Sequence, residues 1–444
     1  MYQEKPSVLF SRYALPQMAG LLLNSVYFIV DGVFIGNRLG RDSMAAAAIS
    51  VPVIEILIAL ALAISSGAGI MISSYLGRGE EEKANRLFNL SVAVLGVMGL
   101  LLAAGGNIFI HPLARLMGAT PEIHDEAVTY LWYIVTFSPF LLFSFLLSAL
   151  ARNDNRPKLA MVSLTVGSLS NILLDYVFMY PLNMGIAGAA LATALGPIFS
   201  VLILLPHFLR RKGFLFFARV GGSFAASFKN IGRITVLGFP AFIMEFSIGI
   251  VTFIYNYFII RYSYGEIGLA AYLIIGYVSL IILTLFLGAA QGLQPIFSYY
   301  DGGNRAQSGR ALLVFSQRTV LGIGVAAYVL VVLFSRGFIS VFTPGDVELT
   351  DFTYKKAVIY FCGFLFAGYN ILMISFWQAV RRTKDALLLS LLRSVIFLPV
   401  LMTALPAFWG SELIWVCHSA AEALSAAVAL FLSLRARRGL EKTD

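Results

Sequence analysis

The sequence predicts an all-α polytopic membrane protein, with twelve transmembrane helices in two six-helix lobes related by a parallel internal repeat. Three observations predict it. Hydrophobic residues make up 59% of the chain and charged residues only 12%, against ~25% charged in soluble domains. The apolar residues gather into runs of the length, about 20 helical residues, that crosses the ~30 Å hydrocarbon core of a bilayer. The chain also repeats itself: Pro16 recurs as Pro240, Phe34-Ile35 as Phe258-Ile259, Ala46-Ala47 as Ala270-Ala271, Ser74-Tyr75 as Ser298-Tyr299 and Arg86 as Arg310. After three inserted residues the pairing continues, with Gly118 and Gly345, Tyr133 and Tyr360, Ser148 and Ser375, and Ser163-Leu164 and Ser390-Leu391. Two similar membrane-embedded halves can rock against each other around a cleft, which is how many secondary transporters are built.

The first span, 14 to 36, follows Lys5 and Arg12 and passes Asp31 with no small-residue cleavage pattern, so it is expected to remain as an uncleaved anchor. Spans two (44 to 75) and eight (267 to 298) are long enough to tilt or to extend past the bilayer. Spans three (86 to 110), four (127 to 150), five (159 to 180) and six (185 to 209) complete the amino half. Spans seven (234 to 260), nine (310 to 334), ten (352 to 378), eleven (386 to 407) and twelve (411 to 434) complete the carboxyl half with span eight. Pro16, Pro52, Pro139, Pro240 and Pro399 each remove a backbone hydrogen bond and invite a kink.

The lobes are expected at 1–215 and 216–444, joined by the longest loop, Arg210 to Arg233, which contains Gly221-Gly222 and Ser223. Counted on alternate sides, basic residues divide 25 to 7 of the 32, the larger set on the side of both termini. By the positive-inside rule both termini are cytoplasmic. Six spans per half is an even number, so the repeat is parallel. The expected location is the cell's inner (plasma) membrane, the partners the lipid bilayer and small organic substrates, and the state a monomer. The net charge of +9 lies in short loops between apolar runs, a pattern that argues against nucleic acid. Cys362 and Cys417 lie inside apolar spans and read as packing residues. His111, His124, His207 and His418 are scattered, and no G-x-S-x-G or H-E-x-x-H motif occurs, so an enzyme is not expected. No cofactor is expected beyond a coupling ion.

An acid inside a span is costly, and therefore a functional-site hypothesis. Asp31, Glu55, Asp175, Glu245 and Glu422 qualify. At 1.5 Å per residue, Asp31 on span one, Asp175 on span five and Thr193 on span six fall at one depth, roughly 7 to 12 Å below the outer surface. Asn24, Tyr27 and Asp31 share a helix face, as do Asn171 and Asp175. Two carboxylates with amide, phenol and hydroxyl oxygens form a hard oxygen set suited to Na⁺ or a proton relay. Held together in a low dielectric, one of the two carboxylates takes up a proton or a cation. The repeat does not duplicate these acids: Tyr255 and Met402 stand where Asp31 and Asp175 would recur, and Leu21 where Glu245 would. Substrate contacts are expected from Asn24, Glu55, Glu245 and Tyr255, the carboxyl half being dense in aromatic rings suited to flat or cationic ligands. Arg318 and Arg393, near the cytoplasmic ends of their spans, are expected to snorkel.

Several stretches resemble the multidrug and toxic compound extrusion (MATE) transporters: Asp31-Gly32-Val33-Phe34-Ile35-Gly36, Ser73-Ser74-Tyr75-Leu76-Gly77-Arg78-Gly79, Asn171 to Asp175, and Gly185 to Thr193. The resemblance covers the whole chain. It implies efflux of organic, often cationic, compounds in exchange for H⁺ or Na⁺, a cation site, with Na⁺ as one candidate, on Asp31, Asn171, Asp175 and Thr193, and a bend of span one at Pro16. Some members carry acids in span ten that pair with the span-seven glutamate, but residues 357 to 378 contain none. Coupling is therefore expected to rest on the amino lobe. The alternative transporter reading is a lipid-linked precursor flippase, which would need a strongly cationic cavity.

Overall fold

The computed structural model describes residues 2, 4–218, 224–343 and 346–440. Gly221, Gly222 and Ser223 of the inter-lobe stretch, Gly345 of the repeat and the last four residues of the basic tail lie outside the described residues. The described chain is almost wholly helical, with no strand among the described residues. Ten unbroken helical runs have the length and hydropathy to cross a membrane, and two bent pairs complete the twelve spans.

Span one is a continuous helical run, Pro6–Leu39. A π-helical turn, Phe10–Ala14, stands directly before Pro16, which is the second residue of the α-helical stretch Leu15–Leu39. The wider turn accommodates the proline's missing N–H and its ring. Pro16 thus marks a change of helical register in an unbroken run. Pro52 and Pro240 likewise lie inside helices, Arg41–Gly77 and Phe224–Arg261, that continue through them.

The breaks occur in spans four and ten. His124–Thr136 and Ser138–Asn153 meet at 45°, and Val347–Phe361 and Phe364–Ala379 at 43°. They fall at matching places in the repeat, yet only the first has a proline, Pro139, beside it. At the second, a Cβ on Gly363 would lie 2.9 Å from Cδ2 of His418, so span twelve packs into the bend.

The inter-lobe stretch is shorter than expected, because span seven already begins at Phe224. Its first part is clipped to the amino lobe. The Asp154 carboxylate accepts from the N–H groups of Phe214 (2.7 Å) and Leu215 (3.3 Å), and the side chains of Asn85 and Asn89 accept from Phe216 (2.8 Å) and Ala218 (2.9 Å). These contacts extend three residues past the expected boundary at 215.

The lobes meet backbone to backbone at the end that carries Gly77 and Gly302. A Cβ on Gly67 would come 2.0 Å from the Ile234 carbonyl oxygen, and one on Gly238 would come 1.6 Å from that of Ala63. Gly77 and Gly302 are equally close to Tyr299 O and Ser74 O, at 2.2 Å each. Side-chain hydrogen bonds across this junction join neutral groups: Gln17 donates to Gln291 (3.2 Å) and Ser66 to Gln294 (3.1 Å). Every ion pair among the described residues stays inside one lobe.

Candidate functional site

Spans five (Pro157–Met179) and six (Ile186–Leu209) form the tightest pair in the amino lobe because small residues face each other. A Cβ on Gly167 would meet the Ser200 hydroxyl at 2.4 Å and the Gly196 carbonyl at 2.9 Å, and Ser200 donates to the Ser163 carbonyl at 2.9 Å. One turn beyond Gly167, this close approach brings Asn171 beside Thr193. With its amide oriented to satisfy both ends, Asn171 donates to Asp175 Oδ2 (3.1 Å) and accepts from the Thr193 backbone N–H (3.2 Å). Span one crosses here. A Cβ on Gly20 would touch Leu164 at 3.0 Å, and farther along the same helix Asp31 comes within hydrogen-bonding reach of Asp175.

Asp31 is 8% exposed and Asp175 fully buried, and one oxygen of each, Oδ1, has no partner. Unpartnered buried carboxylate oxygens are costly. Two of them side by side are chemically satisfied when one carboxyl carries a proton or both bind a small cation. Among the described residues no third carboxylate, His or Cys joins the pair, which suits a proton or a monovalent ion better than a transition metal. Tyr27 and Tyr130 both lie within electrostatic reach of the two acids, and Tyr130 Oη is 3.4 Å from Thr193 Oγ1. The structure therefore brings together Asp31, Asn171, Asp175, Thr193 and Tyr27. Tyr130 carries no spacing signal in the sequence, since span four holds both Tyr130 and Tyr133 and nothing in their pattern singles out the first.

A cavity with an empty volume of about 770 Å³, open mouth included, lies beside this cluster wholly within the amino lobe. Asn24, Tyr27, Asn171 and Thr193 supply polar wall, and Ile54, Phe137 and other apolar side chains the rest. Mostly apolar walls with a few convergent polar groups are usual for small-molecule sites.

The remaining expected residues separate. Glu55 and Glu245 are half-buried and lie within electrostatic reach of each other across the lobe interface, so Glu245 faces an acid of span two where span ten has none to offer. Phe239, Phe242 and Phe246 stack along span seven with ring centroids 5.7 and 5.8 Å apart. Tyr255 is not a wall residue. It is fully buried, stacks on Tyr272, donates to the Ile414 carbonyl (3.2 Å) and accepts from the His418 N–H (3.2 Å). Met402 is buried as completely. The place in the carboxyl lobe that corresponds to the acid pair is thus filled by core.

Two arginines also depart from expectation. Arg393 does not snorkel: it sits on a π-helical turn, Leu392–Ile396, and donates through Nε (3.0 Å) and Nη2 (2.5 Å) to Glu422, whose other oxygen accepts from Asn370 (2.7 Å). Arg152, counted with the loop charges, is buried at 7% exposure. The histidines are less scattered than they read. His111 Nδ1 and His124 Nε2 are 3.1 Å apart, and His207 is 2.7 Å from Asp154.

Comparison with known proteins adds an independent reading of the repeat. The MatE family model matches residues 16–177 and again residues 240–403. The multidrug export protein MepA of Staphylococcus saprophyticus is 25% identical over 460 residues, covering 100% of this chain and 98% of that protein. MepA of Staphylococcus aureus strain MRSA252 is 26% identical over 426 residues, covering 93% and 91%. Among solved structures, a MATE protein in the bent conformation aligns with a TM-score of 0.89 at 21% identity, over 99% of this chain and 97% of its own. An outward-facing multidrug resistance MATE family transporter of the MOP superfamily aligns at 0.90 and 21%, over 98% and 96%. At that identity the structures establish the two-lobe fold.

Proposed function

Because this chain belongs to the MatE family, we propose that it exports small organic, often cationic, compounds by alternating access, in antiport with H⁺ or Na⁺ taken up at Asp31 and Asp175. The observation that carries the coupling site is the pair of buried carboxylates, each with an unpartnered oxygen, Asp31 on span one and Asp175 on span five, the latter tied through Asn171 to the Thr193 N–H of span six. In this reading Asn171 and Thr193 orient Asp175, Tyr130 stands beside the acid pair, Tyr27 lies between the pair and the cavity, and the cavity takes substrate, with Asn24 as one contact. A cation bound there biases the lobe equilibrium only if the two arrangements bind it with different affinity. Neutralising the pair removes the repulsion between the carboxylates of spans one and five, and an arrangement that holds those spans closer together gains more from it.

The test uses purified protein in liposomes with H⁺ and Na⁺ gradients imposed separately. Asp31→Asn and Asp175→Asn keep volume and hydrogen bonding but cannot ionise, and each is expected to abolish gradient-driven efflux while the protein stays folded. Wild-type pumping by both variants would overturn the site and make Glu55 and Glu245 the candidates. In the same reading the chain is a monomer in the plasma membrane, its lobes divide near the inter-lobe stretch and both termini face the cytoplasm. Sizing by light scattering tests the first. A single cysteine at the amino terminus, in a background lacking Cys362 and Cys417, tests the last by its resistance to an impermeant thiol reagent in intact cells. The flippase alternative would need a strongly cationic cavity, and the amino-lobe cavity is lined by no basic side chain.

A further inference from the structure

Arg152 is a buried cation with no counter-charge. A guanidinium cannot shed its proton in a protein, and a buried charge is normally paired because an isolated one costs several kcal/mol, about the scale of a whole ion's desolvation. Arg393 obeys that rule through Glu422, whose Oε1 accepts from both its Nε and its Nη2. Arg152 does not. Its Nη1 donates to two neutral groups, Gln17 Oε1 (3.0 Å) and Ser148 Oγ (3.1 Å), and its Nε has no partner. Among the described residues no carboxylate lies within ion-pair distance of it. The nearest acid in sequence, Asp154, is already engaged by His207, Phe214 and Leu215. Arg152 does stand in the last turn of its helix, Ser138–Asn153, where the dipole offers about half a negative charge at most.

The unpaired head lines a chamber between the lobes, distinct from the amino-lobe cavity, with an empty volume of about 660 Å³. Gln17, Ser66 and Ser148 face it from the amino lobe, and Gln291 and Gln294 from the carboxyl lobe. The carbonyl of Gln291 accepts from Gln17, which leaves its amide N–H groups to the chamber. No acid lines it. The position matching Arg152 in the repeat is Ala379, so the charge belongs to one side of the interface only.

We infer that this chamber binds a singly charged anion, held by the Arg152 guanidinium from the amino lobe and the Gln291 amide from the carboxyl lobe. The ligand is either a free halide or the carboxylate of a transported molecule. Because the donors come from both lobes, an anion there favours the arrangement in which they are joined, and it supplies the missing counter-charge.

The test is an unfolding-temperature titration of purified, detergent-solubilised protein with chloride and, separately, with acetate, each balanced with isethionate at constant ionic strength. A saturable rise with chloride supports the inference and assigns a free halide. A rise with acetate and none with chloride supports it and assigns a carboxylate source. No saturable rise with either overturns it. In Arg152→Gln the rise is expected to vanish, and its persistence would place the anion elsewhere and overturn the assignment. Should that variant fail to fold, the wild-type titrations still decide, and Gln291→Leu gives the location, with a half-saturating concentration expected to increase about tenfold for a lost hydrogen bond to a charged group. An unchanged value in Gln291→Leu would remove the carboxyl lobe from the site.

Discussion

Replacing Gly67 with alanine should open the junction between the lobes. The added Cβ would lie 2.0 Å from the Ile234 carbonyl oxygen and 2.8 Å from its carbon, where ordinary contact begins at 3.4 Å. The backbones must therefore separate by 3.4 − 2.0 = 1.4 Å, and no flexible side chain stands between them to absorb the strain. Overpacking of this kind costs about 1–3 kcal/mol. If the strain is relieved by parting the lobes, that cost shifts the lobe equilibrium by roughly 5- to 150-fold. The assay is the rate at which a cysteine at Ala290, a fully buried residue of the inter-lobe chamber, reacts with a thiol reagent in purified protein lacking Cys362 and Cys417. Gly67→Ala should raise that rate by the same factor. Gly232→Ala is the control, since nothing lies within 4 Å of a Cβ there. An unchanged rate in a folded Gly67→Ala protein would refute the claim that backbone contact at glycine holds this end shut.

Other substitutions address the charged and polar groups. Arg393→Ala leaves Glu422, 3% exposed at its side chain, buried and uncompensated, and should destabilise the protein by about 3–5 kcal/mol in thermal unfolding. Combining Arg393→Met with Glu422→Leu should cost much less, and equal losses would contradict the pairing. Glu245→Gln should weaken export of cationic dyes more than of neutral ones, whereas an equal loss for both would assign Glu245 a structural role. Tyr255→Phe should lower stability by about 1–3 kcal/mol through its two lost buried hydrogen bonds and leave the substrate profile unchanged; an altered profile would return Tyr255 to the binding site.

Much of this architecture was legible because bilayer thickness and helical rise leave few choices. Apolar run lengths gave the twelve spans. Depth counting placed Asp31, Asp175 and Thr193 together, since three straight helices of known rise must bring groups at one depth near each other. What the sequence hid depends on rotation and on distant partners. Tyr27 and Tyr255 are both tyrosines on apolar helices, yet the first lines a cavity and the second is core, and helix rotation alone separates them. Arg393 reads as a span-end cation because its partner, Glu422, is 29 residues away on another helix. Arg152 reads as a loop charge because its partners, Gln17 and Ser148, are neutral, and burial of a helix end is set by how distant helices pack over it. The bend of span four is signalled by Pro139, but that of span ten is produced by packing against His418 and has no proline to announce it.

The confinement of every described ion pair to a single lobe has a consequence for the speed of the machine. When two surfaces held by buried opposite charges separate, the charges must be rehydrated in the transition state, and the barrier rises with each pair. Here the direct contacts that must part at the junction are glycine backbone and neutral amides, whose hydrogen bonds exchange for bonds to water at small net change. Lobe separation thus breaks no described ion pair, and the charges it does rearrange, Glu55 facing Glu245 and the unpaired Arg152, are not bonded across the interface. The barrier to separation should therefore lack the cost of rehydrating paired charges, and a ligand that binds one of these groups can bias the cycle directly.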